Sequence, residues 1–555
     1  MAGLAASFGS GAMTNSFDDI SANANTIFVI GSNTTEQHPV FGTRIRQAVL
    51  RRGVKLIVAD PRKIDITEFA TLHMRLKPGT DIALLNGLMY IIFEKGYEDK
   101  DFIANRSENF DDFKANVMQY TPEITTEITG VPVEQLYEAA EILGTSKPGA
   151  VVWAMGITQH IVGVQNVRTC ANLQMVLGNI GIPGSGVNPL RGQNNVQGAC
   201  DMGGLPNVYP AYQQVVNDEV RQKFEKAWGT PLSPKAGMTV TEMIPSIAED
   251  KIKALYILGE NPVMTDADTN HIRHCLEHLE FMVLQEIFPS ETSPYADVLL
   301  PGVTFAEKTG TFTNTERRVQ LLHQAIAPLD GAREDWEITA EIARRVLDYS
   351  QQSVDFTAPH AGWNYSSPDQ IMAEVAALAP SYAGVNYERL EKGERLQWPI
   401  KGLDHPGTPV LHIGQFTRGK GLFAVTQHIP PVELPDKDYP VLLSTGRVIY
   451  HWHGGEMTRR AKGLMEVYGE SLVEVNPEDA QKIGINGNKR IRVTSRRGSI
   501  EAKAWVTDRV PPGMVYANFH FPEVPTNSLT IGALDPIAKI PEYKVCAVKV
   551  ELIKD

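Results

Sequence analysis

The run from Asn188-Pro189-Leu190-Arg191-Gly192-Gln193-Asn194-Asn195 to Val196-Gln197-Gly198-Ala199-Cys200-Asp201-Met202-Gly203 is the most chemically loaded stretch of the chain. It holds one cation (Arg191), one acid (Asp201), five side-chain amides and three glycines. A guanidinium among neutral donors suits a small planar anion, because two of its N–H groups match the two oxygens of a carboxylate. The glycines let backbone approach a large polar ligand closely. The run has neither helical nor strand periodicity, so it reads as an ordered loop. A surface loop of polar turn residues is the plain alternative.

Two clusters near the C-terminus carry further side chains of interest. In Ser444-Thr445-Gly446-Arg447 to His451-Trp452-His453-Gly454, the two histidines are spaced to share one face of an extended chain. No third ligand is spaced to complete a metal site, so hydrogen bonding or packing is favoured over metal binding. Pro541-Glu542-Tyr543-Lys544 is a polar loop or an ordinary solvated turn.

These residues need elements to position them. Thr26–Ile30 reads as a buried strand, Gly31–Glu36 as a donor-rich loop, 41–52 as a helix closed by Gly53, and 54–59 as a second strand ending at Asp60-Pro61-Arg62. A glycine after one strand and an acid after the next is a layout for nucleotide phosphates and ribose, although a plain α/β unit has the same outline. The pattern returns at Lys253–Leu258, Gly259-Glu260-Asn261-Pro262 and Phe281–Glu286. Near-equal offsets between matching positions point to an internal duplication, with chance recurrence as the alternative. Helices are expected at 82–94, 132–143, 164–177, 210–228, 335–347 and 368–377. From Tyr439 onward short strands punctuated by glycine suggest a β-barrel. The expected fold class is α/β, with two related nucleotide-binding α/β domains and a C-terminal β-barrel. The expected divisions are 1–195, 196–305 (an incomplete second α/β domain), 306–433 (irregular) and 434–555 (the barrel).

A net charge of −13 argues against nucleic-acid binding, which needs basic faces. An apolar content of 43% with 21% charged residues fits a globular protein, and no apolar run reaches membrane-spanning length. The four cysteines are scattered, which fits reduced thiols in the cytoplasm and leaves no close-spaced cluster motif. An ordinary NAD dehydrogenase fails for want of G-x-G-x-x-G after a strand.

Taken together, Gly186–Gly203, Thr445-Gly446-Arg447 with His451–Gly454 and Met457-Thr458-Arg459, and Pro541–Lys544 with Cys546-Ala547-Val548 resemble a known family. The chain resembles the catalytic (alpha) subunit of molybdenum- or tungsten-dependent formate dehydrogenases, within the dimethyl-sulfoxide-reductase family of molybdopterin oxidoreductases. The resemblance covers essentially the whole chain. It implies oxidation of formate to carbon dioxide at a Mo or W centre held by two molybdopterin guanine dinucleotides. By matching position, Asn33, Asp60, Arg62, Gly79 and Asp81 would hold one dinucleotide. Gly259, Asn261, Thr265, Gln285, Glu286 and Asp335 would hold the other. Met155, Gln159 and Gln193 would lie near the pterins, and Arg447, His451, His453, Asn527, Tyr543 and Lys544 would close the site. Arg191 would orient formate. The implied partners are electron-transfer subunits of iron–sulfur, flavin or hydrogenase type.

The family's metal ligand, a selenocysteine or cysteine followed by histidine, falls before the position matching Ala2. Its four-cysteine [4Fe–4S] segment falls further upstream, so no metal ligand is assigned here. The expectation is an N-terminally truncated reading of the gene, marked by an in-frame UGA upstream. Two rival readings stand beside this one: a nitrate reductase of the same family, favoured by the His451/His453 segment, and an inactive cofactor-binding fragment.

Overall fold

The computed structural model describes residues 1–350, 354–487 and 489–553. The chain forms two compact units. One comprises Met1–Gly192, Asn261–His274 and Val410–Asp555; the other comprises Gln193–Glu260 and Cys275–Pro409.

The first unit contains a parallel sheet of β1 (Thr26–Ile30), β2 (Lys55–Ala59), β3 (Leu72–Met74), β4 (Gly149–Trp153) and β5 (Val187–Pro189), in the order β3-β2-β1-β4-β5. β1 pairs in register with β2 (Thr26 beside Lys55) and with β4 (Thr26 beside Gly149). Its unbroken apolar run is what a central parallel strand requires, since both faces are covered. Side chains alternate across it. Phe28 and Ile30 enter one core with Ile57 and Val151, while Ile27 and Val29 enter another with Phe41 and Ile45. The helix Pro39–Arg52 supplies Phe41 and Ile45 and ends at Gly53, whose φ of 70° gives the left-handed cap read from the sequence.

The same unit carries the C-terminal barrel. Its strands are β9 (Val441–Gly446), β10 (Leu472–Val475), β11 (Arg490–Thr494), β12 (Ser499–Val506), β13 (Met514–Asn518) and β14 (Cys546–Leu552). They close in the order β9-β13-β10-β12-β11-β14. Ile491, Val493, Ile500, Ala502 and Ala504 fill the interior, and Arg490 and Arg492 alternate outward. Closure leaves no sheet edge unpaired.

The second unit holds a parallel sheet of β6 (Ala254–Leu258), β7 (Phe281–Glu286) and β8 (Val298–Pro301), in the order β8-β7-β6. This repeats the neighbour order β3-β2-β1. The local backbone repeats too: Gly31 and Gly259 both have positive φ (57° and 63°), and four-residue helices follow at Thr34–Gln37 and Pro262–Thr265.

Two sequence expectations are corrected. The helix expected over 210–228 is confined to Asp218–Trp228, because the Asn217 side chain caps its start by accepting the Val220 N–H (3.2 Å). Ala211 and Tyr212 instead have positive φ, which breaks any helix before it. The run 188–203 is not all loop: β5 ends at Pro189 and a short helix spans Val196–Asp201, too brief to show periodicity. Asp201 anchors that helix within the second unit. Its buried carboxylate accepts from Gln197 (2.7 Å), Tyr212 (2.8 Å), Trp398 (2.7 Å) and Tyr382. Among the described residues no helix is long and apolar enough to cross a membrane.

Candidate cofactor and substrate site

A cavity of about 640 Å³, counting its open mouth, lies in the first unit where the carboxyl ends of β1 and β2 meet the barrel. Open α/β sheets bind ligands at this end of their strands. Gly31 and Gly156 form part of its lining, and a Cβ on Gly156 would lie 2.6 Å from Gly31 Cα, so only glycine permits the approach.

Asn33, Asp60, Arg62, Gly79, Asp81 and Lys544 all line this cavity. Asn33 is 5% exposed, and neither of its amide atoms has a hydrogen-bond partner among the described residues. The hydroxyls of Ser32, Thr34 and Thr35 are buried and likewise have no partner among the described residues. Such orphans are rare in folded proteins because each costs free energy, so a run of them fits a polar ligand. Asp60 accepts from the Arg62 N–H (2.9 Å), and burial pushes its carboxyl up to about 6. Burial also raises Asp81. Lys544 Nζ donates to the Thr445 carbonyl (2.6 Å), and burial lowers the ammonium to about 7. Arg62 lies over the Tyr516 ring, 3.5 Å from its centroid. The donor set of amide, hydroxyls, guanidinium and ammonium fits the phosphates of a dinucleotide, and the carboxylates fit the N–H groups of a base or ribose hydroxyls.

Arg191 and Gly192 belong to the same unit. His38 Nε2 lies 2.7 Å from the Arg191 carbonyl oxygen, and Arg447 Nη1 donates to that of Gly192 (3.1 Å). Arg447 also reaches Gln37 Oε1 (3.3 Å) and His453 Nε2 (3.2 Å). Burial lowers both His38 and His453 to about 4 and Arg447 to about 10, so at neutral pH both imidazoles are neutral and the arginine is charged.

His451 and His453 do not share a face of extended chain. His453 sits at φ 45°, in the left-handed region, and turns the backbone. His451 spends both ring nitrogens on Tyr468 O (2.6 Å) and Thr458 Oγ1 (3.2 Å). Among the described residues no group of three or more His, Cys, Asp or Glu is arranged to hold a metal.

The remaining residues fall into separate groups. Asn527 Nδ2 donates to the carbonyls of Met264 and Thr265 (both 3.0 Å), and the Tyr543 hydroxyl lies 3.2 Å from Thr265 O. Asn261 Nδ2 donates to Glu456 (2.9 Å). These bonds tie 261–267 to the barrel. In the second unit, Gln285 donates to Asp335 (2.8 Å), Glu286 accepts from the Ile287 N–H (2.7 Å), and Gly259 turns the chain after β6. Gln193 is exposed there. Met155 and Gln159 flank Gly156 and His160, which line the cavity. Sequence reasoning missed Gln37, His160 and Tyr516 as lining residues. Gln37 was discoverable, since it follows Asn33 by one helical turn; His160 and Tyr516 carry no local signal.

The molybdopterin oxidoreductase family matches residues 4–345, and the molydopterin dinucleotide binding domain matches residues 441–547. F420-dependent formate dehydrogenase 1 subunit alpha of Methanococcus maripaludis is 44% identical over 554 residues, covering 99% of this chain and 80% of that protein. F420-dependent formate dehydrogenase subunit alpha of Methanocaldococcus jannaschii is 45% identical, with coverage of 99% and 80%. Formate dehydrogenase H of Escherichia coli is 38% identical over 561 residues, spanning all of this chain and 76% of that one. Among solved structures, acetylene hydratase from Pelobacter acetylenicus shares the fold, with a TM-score of 0.74, 19% identity and coverage of 99% and 80%. The chain therefore belongs to the molybdopterin oxidoreductase family, among the formate dehydrogenase alpha subunits.

Proposed function

We propose that this protein oxidises formate to carbon dioxide, releasing one proton and two electrons, and passes the electrons to a partner subunit. The observation that carries the reading is 44–45% identity over 99% of the chain to formate dehydrogenase alpha subunits. When bound, a Mo or W bis(molybdopterin guanine dinucleotide) supplies the redox chemistry. The residues of this chain hold and orient. Asn33, Arg62 and Lys544 take the phosphate end of one dinucleotide, and Asp60 or Asp81 takes its base or ribose. Gly259, Gln285, Glu286 and Asp335, with Asn261 and Thr265, take the other. Met155, Gln159 and Gln193 lie toward the pterins. Arg447, His451, His453, Asn527 and Tyr543 close the site.

Arg191 is the only cation of its run, and it pairs with the formate carboxylate. The relatives' names carry F420 dependence, so a subunit that reduces F420 is the first acceptor to try. Four buried, scattered cysteines fit a reducing cytoplasm.

The test is formate-dependent dye reduction by the protein expressed from its full gene with its partner subunits, alongside Mo and W analysis. Turnover that scales with bound metal supports the proposal. Fully loaded protein that reduces nitrate and ignores formate overturns it.

A further inference from the structure

Residues 37–38, 191–192 and 447 close a ring of hydrogen bonds in the first unit. Gln37 Oε1 accepts from Arg447 Nη2 (3.3 Å), and Arg447 Nη1 donates to the Gly192 carbonyl (3.1 Å). The adjoining Arg191 carbonyl lies 2.7 Å from His38 Nε2, and His38 is bonded covalently to Gln37. A carbonyl has no proton to give, so His38 must carry its proton on Nε2 and donate. Its other nitrogen, Nδ1, is buried with no partner among the described residues. The ring's base is itself held: the His38 N–H donates to Thr34 O (3.0 Å) at the junction of helices Thr34–Gln37 and Pro39–Arg52. Two consecutive carbonyls held from two different elements leave the peptide between them little freedom to rotate. The direction in which the Arg191 side chain leaves the backbone follows from that peptide's orientation.

We propose that His38 is a positioning residue for Arg191: it fixes the Arg191 carbonyl while Arg447 fixes that of Gly192, and together they aim the guanidinium that receives the substrate carboxylate. The proposal rests on the formate reading of Arg191 above. In this role His38 acts through one peptide.

The test uses the metal-loaded holoenzyme with its partner subunits. His38→Leu keeps bulk and removes the donor, and His38→Gln keeps an N–H near the Nε2 position. We expect His38→Leu to raise the formate KM about fivefold to tenfold, the scale of one lost hydrogen bond. His38→Gln should restore most of the loss. In an Arg191→Ala background His38→Leu should add little, because a residue acting through another loses its effect when that other is gone. Kinetics within twofold of wild type for His38→Leu overturn the proposal, as do equal losses in the Leu and Gln variants or fully additive losses with Arg191→Ala. If His38→Leu does not load metal, His38→Gln against the shorter His38→Asn decides: a defect in Asn alone supports the positioning role, and equal behaviour overturns it. A wild-type holoenzyme inert toward formate is a different outcome, since it sinks the functional reading itself.

Discussion

Arg62 and Glu474, separated by 412 positions in sequence, form a two-pronged buried pair: Nε to Oε2 at 3.1 Å and Nη2 to Oε1 at 2.6 Å. Both side chains are under a tenth exposed. One residue follows β2 of the parallel sheet and the other sits on β10 of the barrel, so the pair fastens these two parts of the first unit beside the cavity. Removing Arg62 takes both hydrogen bonds from the buried Glu474 carboxylate and leaves it only the longer contact to Arg509 Nε (3.7 Å). Arg62→Leu should cost about 3–5 kcal/mol. Thermal melting and cofactor content would show it. Arg62→Leu/Glu474→Leu should recover much of the stability but not the cofactor; a single variant as stable as wild type would contradict the argument.

Arg191→Ala should raise KM and lower kcat for formate. A hydrogen bond to a charged group contributes about 1.5–3 kcal/mol, which predicts a loss of roughly ten- to hundred-fold in kcat/KM. Steady-state kinetics on metal-loaded enzyme check this, and unchanged constants would remove Arg191 from the substrate site.

Asn33 gives an opposite signature. Its amide has no partner among the described residues, so Asn33→Ala removes a buried group that the protein alone leaves unsatisfied. The variant apoprotein should melt at or above the wild-type temperature, while dinucleotide retention after gel filtration falls about tenfold. A variant that loses stability without ligand, and retains the dinucleotide normally, would mean that Asn33 serves the fold alone.

The cavity's charge should depend on pH near neutrality. Lys544 is lowered to about 7 by burial, so it loses its positive charge as pH rises through 7. Asp60 is raised to about 6 by burial, so it gains negative charge over the neighbouring range. Both changes oppose anion binding. Pyrophosphate binding to the apoprotein, followed by calorimetry, should weaken as pH rises from about 6 to about 8. Lys544→Gln should weaken binding at pH 6 and flatten the upper part of the profile. A flat wild-type profile would count against both assignments.

The chain sequence by itself determined the local elements. The apolar run Thr26–Ile30 became the central strand, Gly53 became the helix cap, and the short strands expected from Tyr439 onward became barrel wall. It also placed Asn33 and Asp60 just beyond strand ends, and both line the cavity. These features are legible because side-chain periodicity and turn chemistry act over a few residues. Only the tertiary structure decided which distant residues meet. Nothing local to Glu474 announces Arg62, and nothing local to His38 announces the Arg191 carbonyl 153 positions away. The two-residue spacing of His451 and His453 suggested a shared face, and the turn at His453 removed it. The lowered Lys544 and raised Asp60 were equally hidden, because both shifts come from burial, and burial exists only once the sheet and the barrel have closed around them.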